Sequence, residues 1–168
     1  MKMVISPAKS LNLNSDVPID KYSTPFFLAE AKQINKLLRE KSPKELTQLM
    51  KISDKLGSLN WERNQNFTTP FNPDNARPAV YAFDGDVYSG LDVYSLSLDK
   101  ISTMQKSLRI LSGQYGILKP LDLIQPYRLE MGTKFHVDSK KNLYEFWKDK
   151  VTGFLNEELV EGELFVNL

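Results

Sequence analysis

Hydrophobic positions alternate between two periods along this chain, and the periods predict its elements. Met3 to Ile5 is a short apolar, β-branched run closed by Ser6-Pro7, which predicts a buried first strand followed by a loop. After a polar stretch, Pro25 stands at a helix start. Phe26, Phe27, Ala31, Ile34, Leu37 and Leu38 then form a stripe at helical spacing that ends near Glu40. Ser42 with Glu45 three residues later forms a capping box, and Leu46, Leu49 and Met50 supply that helix's apolar face. Ser53 and Asp54 are caps for a helix over Lys55 to Arg63. Ala79 to Phe83 reads as a strand, and Asp84-Gly85-Asp86 as a turn. A helical pattern over Lys100 to Leu111 uses Ile101, Met104, Leu108 and Leu111. Thr133 to Val137 alternates like a strand. Asn142 or Asp138 opens a long helix through Leu143, Phe146, Trp147, Val151, Phe154, Leu155 and Leu159, stopped by Gly162. Leu164 to Leu168 reads as a further buried strand. Strands and helices alternate irregularly, so the expected fold is a mixed α/β (α+β) single domain over residues 1–168.

Between the fourth and fifth helical patterns lies the segment Leu111 to Gly132. Ser112-Gly113 ends a helix, Gly116 permits a second sharp bend, and Pro120 suits the first turn of a short new helix. The reading is helix, glycine hairpin, short helix. Such a hairpin offers backbone N–H groups to an anion, with Lys119 and Arg128 adding charge. A tight corner packed on its glycines has the same pattern.

Composition changes this picture little. The 168 residues are enough for one domain with a real core, and 41% hydrophobic with 26% charged residues is ordinary globular composition. The net charge of +1 leaves room for a local basic face only. The absence of cysteine excludes disulfides, thiol catalysis and thiolate metal sites. With His136 the single histidine, a metal site would need mostly carboxylates. No apolar run approaches a membrane span, and Pro7 breaks the only N-terminal one, so the default is a cytoplasmic protein without a membrane role. Nothing calls for a cofactor or a metal.

Candidate chemistry is scattered over several motifs. Lys9 follows the first strand where a loop would present it to an anion. Lys51, Lys55 and Arg63 recur near helical spacing with Trp61 beside them, a pattern that can grip a phosphate backbone and that is also an ordinary solvated helix face. Asp84 and Asp86 flank one glycine and could converge on a cation or work as an acid/base pair.

Taken in order, ISPAKSL, ISDKLGSLN, AFDGDVYSGL and LRILSGQYGILKPLDLIQPYRLEMG resemble the YaaA family of bacterial peroxide-stress-response proteins, over nearly the whole chain from Val4 to Leu168. The resemblance implies a cytoplasmic protein that limits iron-dependent peroxide damage by holding down unincorporated iron. It also implies a mixed α/β fold with a positively charged cleft and a helix-hairpin-helix element that binds DNA without reading sequence. Full-length members continue past the strand ending at Leu168, so the chain is expected to be the N-terminal two-thirds of a longer protein.

Two readings of the site follow, with a weaker third. As a DNA-binding protein, the chain would contact phosphates of duplex or branched DNA through Lys9, Lys51, Lys55, Lys119 and Arg128, with Gly113 and Gly116 shaping the hairpin. As an enzyme acting on a nucleotide or another phosphorylated small molecule, it would gather Asp54, Asp86, Tyr127 and Glu130 around those cations, with at least two carboxylates in one pocket. Direct iron binding would use Asp84, Asp86 and Glu130.

Overall fold

Residues Lys2–Ile5 form β1, and the main sheet is built on it. The computed structural model describes every residue from Met1 to Leu168. On one side β1 pairs in parallel with β5 (Leu108–Ser112), Met3 opposite Leu108 and Ile5 opposite Ile110. On the other it pairs in parallel with β8 (Phe165–Asn167), Lys2 opposite Phe165. A fourth strand, β6 (Gly116–Leu118), runs antiparallel to β5, giving the order β6-β5-β1-β8. Parallel strands covered on both faces need apolar side chains in both directions. Val4, Ile5, Ile110, Ile117 and Leu118 are accordingly buried.

Three helices precede the second half of the sheet: α1 (Leu28–Arg39), α2 (Pro43–Met50) and α3 (Asp54–Asn66). Their starts follow from local chemistry. Ser42 Oγ accepts from Glu45 N at 3.3 Å, and Glu45 Oε2 accepts from Ser42 N at 2.8 Å, a complete capping box. Ser53 Oγ accepts from Leu56 N at 3.4 Å and opens α3. Ile34 and Leu38 carry α1, and Leu46 carries α2, into the core. Two small antiparallel pairs complete the body. β2 (Ser10–Leu11) joins β4 (Phe83–Asp84), and β3 (Arg77–Pro78) joins β7 (Leu123–Ile124). Between β3 and β5 lie a helical turn α4 (Ala79–Ala82), α5 (Asp86–Leu91) and α6 (Leu98–Ser107). The long α7 (Leu143–Glu158), capped by Asn142 Oδ1 accepting from Glu145 N at 2.9 Å, packs Trp147 against the β5–β6 hairpin.

The mixed α/β class is observed, with four departures from the expected elements. The helix expected over Lys100–Leu111 stops at Ser107, and Leu108–Ser112 is a strand. Leu108 and Leu111 continue the helical spacing, but pairing with β1 on one side and β6 on the other satisfies the backbone of 108–112 and buries every residue there except half-buried Leu111, which outweighs local periodicity. The glycine hairpin therefore joins two strands, and a helix-hairpin-helix is not what forms here. Residues 79–82 make a helical turn where a strand was expected. Thr133–Val137 has no ladder, only an isolated bridge from Val137 to Lys140. The strand at 165–167 has a single neighbour, so Phe165 is 41% exposed where the pattern implied burial.

Candidate anion-binding cleft

Adjacent parallel strands end side by side, and the loops leaving them enclose a crevice. This is the usual place for a ligand in sheets of this type. Here β1 runs into Ser6–Lys9, and β5 runs into Ser112–Gly113. The segment Tyr127–Gly132 closes a third side, and Tyr144 of α7 stands at the rim. Together they line a cavity of about 380 Å³. Gly113 is required by close approach: a Cβ there would lie 2.2 Å from the Leu129 carbonyl oxygen. Its own carbonyl accepts from Trp147 Nε1 at 2.9 Å.

The cleft concentrates positive charge around one carboxylate. Glu130 Oε1 lies 3.2 Å from Lys9 Nζ and 3.7 Å from an Arg128 terminal nitrogen. The Arg128 side chain is mostly buried, and its Nε has no protein acceptor. Half-buried Arg63 comes from α3. Burial first, and then the charge on Arg128, hold its guanidinium below the ordinary pKa. One Arg63 terminal nitrogen donates to Asn60 Oδ1 at 3.4 Å. Two cations, Lys9 and Arg128, thus meet a single acid, and Arg63 lies near enough to Arg128 to feel its charge.

The floor is neutral. Ser112 Oγ and the Tyr127 hydroxyl are 2.7 Å apart, and Ser112 Oγ also accepts from Tyr115 N at 3.0 Å. The Tyr115 and Tyr127 rings meet edge to face at 5.3 Å. Burial pushes the Tyr127 phenol well above its ordinary pKa, so it serves as a hydroxyl and not as a base.

Of the residues named from sequence, Lys9, Gly113, Tyr127, Arg128 and Glu130 line this cleft. The others do not join them there. Lys51 is the left-handed C-cap of α2, with φ of 53°, so it is not on α3 and makes no helical face with Lys55 and Arg63. Lys55 and Asp54 are exposed in the first turn of α3, and Asp86 is exposed in the first turn of α5. Lys119 lies beyond the far end of β6, with its Nζ 3.1 Å from Glu158 Oε1. Gly116 packs under Trp147. Residues 112–118 are all buried, so the hairpin is a structural corner and not an exposed phosphate-gripping loop. Asp84, Asp86 and Glu130 do not converge into a group able to hold a metal ion. Because Glu130 is the one carboxylate in the cleft, the paired acids needed for acid/base work are not assembled.

Ser112 and Tyr144 were not among the site residues expected from sequence. Ser112 stood in plain view beside Gly113, whereas Tyr144 reaches the rim only through the docking of α7. A larger cavity of about 730 Å³ lies between loops 13–22 and 73–78. Its arginine, Arg77, is spent on the Tyr81 and Ser15 carbonyls and the Tyr94 hydroxyl, so the smaller cleft has the stronger case. No helix is long and apolar enough to cross a membrane.

The family model described as "Peroxide stress protein YaaA" matches residues 1–168. A UPF0246 protein of Flavobacterium johnsoniae is 62% identical over 168 residues, covering all of this chain and 67% of the relative. A UPF0246 protein of Alteromonas mediterranea is 54% identical over 170 residues, covering all of this chain and 66% of the relative. A third, from Neisseria meningitidis serogroup A, is 49% identical over 162 residues, covering 96% of this chain and 62% of the relative. The chain spans about two-thirds of the length of these curated relatives. On this match, which runs from the first residue to the last, the chain belongs to the YaaA family of peroxide stress proteins.

Proposed function

We propose that this cytoplasmic peroxide-stress protein binds DNA through the cleft, largely without sequence specificity, and helps limit iron-dependent peroxide damage. The observation that carries the reading is the convergence of Lys9 and Arg128 on one carboxylate oxygen, with Arg63 close enough to Arg128 to feel its charge. Cations held this way suit phosphate oxygens, and phosphate contacts carry no sequence information. Lys55 and Trp61 are also exposed on α3, outside the cleft.

The test is binding of labelled duplex, single-stranded and branched DNA at two salt concentrations, comparing wild type with the Lys9→Ala/Arg128→Ala double variant. Each lost phosphate contact lowers the slope of log affinity against log salt by about 1, so the double variant is expected to lose about 2. Unchanged affinity and slope would remove the cleft from the DNA surface.

A further inference from the structure

The Glu130 carboxylate stands where the two cations of the cleft meet, and it satisfies them poorly. Its contact with Lys9 is between two solvent-exposed side chains, 64% and 48% exposed, a class of ion pair that holds weakly. Its contact with Arg128 is 3.7 Å, long for a charge-assisted hydrogen bond. Arg128 Nε has no acceptor at all. A guanidinium fork that is mostly buried, with one edge unused and Lys9 across from it, has capacity for a doubly charged, multi-oxygen anion. Glu130 supplies one oxygen and half the charge.

The shape of the cleft narrows the ligand. Its volume of about 380 Å³ encloses one small molecule, so a duplex would meet these cations only with backbone phosphates laid across the mouth. Tyr144 lies on the rim, 62% exposed, and offers a ring face for stacking. The Ser112–Tyr127 hydroxyl pair at the floor offers a donor and an acceptor for a sugar or a base edge.

We propose that the cleft takes one phosphorylated nucleotide, its phosphate displacing the Glu130 carboxylate from between Lys9 and Arg128 and its base lying against Tyr144. Glu130 is then a resident competitor. It keeps the cations paired when the site is empty and raises the ligand concentration needed to fill it. This inference rests on the cleft being a phosphate site, as in the preceding reading, and adds what enters it and what it must displace. The nucleotide is either free or one unit of a DNA strand turned out of its stack.

The experiment titrates the full chain with a nucleoside 5′-monophosphate, the matching nucleoside and inorganic phosphate, by calorimetry. It is run on wild type, Glu130→Gln and Tyr144→Ala, all exposed substitutions whose folding is checked by thermal unfolding. Saturable binding of the monophosphate is expected, with the nucleoside much weaker. Glu130→Gln should tighten the monophosphate several-fold, because the competing charge is gone. Tyr144→Ala should weaken the monophosphate and leave inorganic phosphate unchanged. No saturable binding of the monophosphate to either wild type or Glu130→Gln overturns the proposal, as does weaker binding to Glu130→Gln. An oligonucleotide carrying one extrahelical 2-aminopurine separates the two sources. A fluorescence change abolished by Tyr144→Ala assigns the site to a unit of DNA, and monophosphate binding without such a change assigns it to the free nucleotide. Salt-dependent duplex binding with no monophosphate binding sinks this inference alone. Monophosphate binding without duplex binding sinks the preceding reading alone.

Discussion

Trp147 covers Gly116 so closely that a Cβ on the glycine would stand 2.6 Å from the indole Cε3. The same indole donates to the Gly113 carbonyl. One side chain of α7 therefore holds both glycines of the β5–β6 hairpin, and through Gly113 it sets the wall of the cleft. Gly116 also has φ of +72°, where a Cβ is strained in any surroundings.

Gly116→Ala is expected to cost on the order of 3 kcal/mol, from the left-handed backbone and the clash together. Gly162 isolates the first effect, since its φ is +76° with nothing within 4 Å of an added Cβ. Gly162→Ala should cost about 1 kcal/mol. Urea denaturation of both variants checks this, and equal losses would show that Trp147 yields freely.

Arg109 is 2% exposed inside the sheet and donates to both Glu158 oxygens, at 2.6 and 2.8 Å. Glu158→Ala leaves a buried guanidinium with only the Gln105 and Leu108 carbonyls. A loss of about 3 kcal/mol or more is expected. Arg109→Met combined with Glu158→Leu should lose much less than the two single changes summed, and a double-mutant cycle by chemical denaturation reads the difference. Additive losses would mean that the pair is not coupled.

Stability should depend on pH through two acids of opposite sign. Burial raises the Asp122 carboxyl to about 6, against hydrogen bonds donated by Ser23 Oγ and Lys119 N. Between the ordinary carboxylate pKa of about 4 and that value, the folded protein holds a proton that the unfolded chain has lost. Asp122 thus contributes most below about pH 4, and its contribution is lost as pH rises to about 6. Burial pushes Glu158 up, but its bonds to Arg109 and Lys119 outweigh this and hold it low overall. Its contribution is present above the ordinary carboxylate range and lost as pH falls through its folded pKa. Asp122→Asn should flatten the dependence of Tm on pH between about 4 and 6 and leave the acid limb in place. An unchanged slope in that window would refute the assignment to Asp122.

Removing the Ser42 hydroxyl should be a local lesion. Ser42→Ala breaks the capping box with Glu45 and is expected to cost about 1 kcal/mol. Amide exchange should quicken in the first turn of α2 and stay unchanged in α7. Uniform quickening would mean that α2 does not open on its own.

What could be read without the structure was whatever depends on neighbours in sequence. The caps at Ser42, Ser53 and Asn142, and the helices they open, are local and stand as expected. The Leu108–Ser112 strand is not local. Its identity is set by β1, and its own residues also satisfy a helical period. The same division runs through the site. Tyr127, Arg128 and Glu130 are nearly adjacent, and Lys9 follows a recognisable strand, so their grouping was accessible from the motifs. Lys119 belonged with them by charge, yet β6 carries it away from the cleft to Glu158. Tyr144 comes from a different helix altogether. The iron-binding acids failed for a related reason: Asp84 and Asp86 are neighbours, but β4 and α5 keep them on the surface and away from Glu130.

The register of β1 has a consequence for how the protein is made. Its partners, Leu108–Ser112 and Phe165–Asn167, leave the ribosome more than a hundred residues after it. At roughly 5–20 residues per second, Met3-Val4-Ile5 waits for seconds with both strand edges unpaired. During translation this short apolar segment therefore needs a chaperone's cover, although in the finished protein both of its edges are paired, to β5 and to β8.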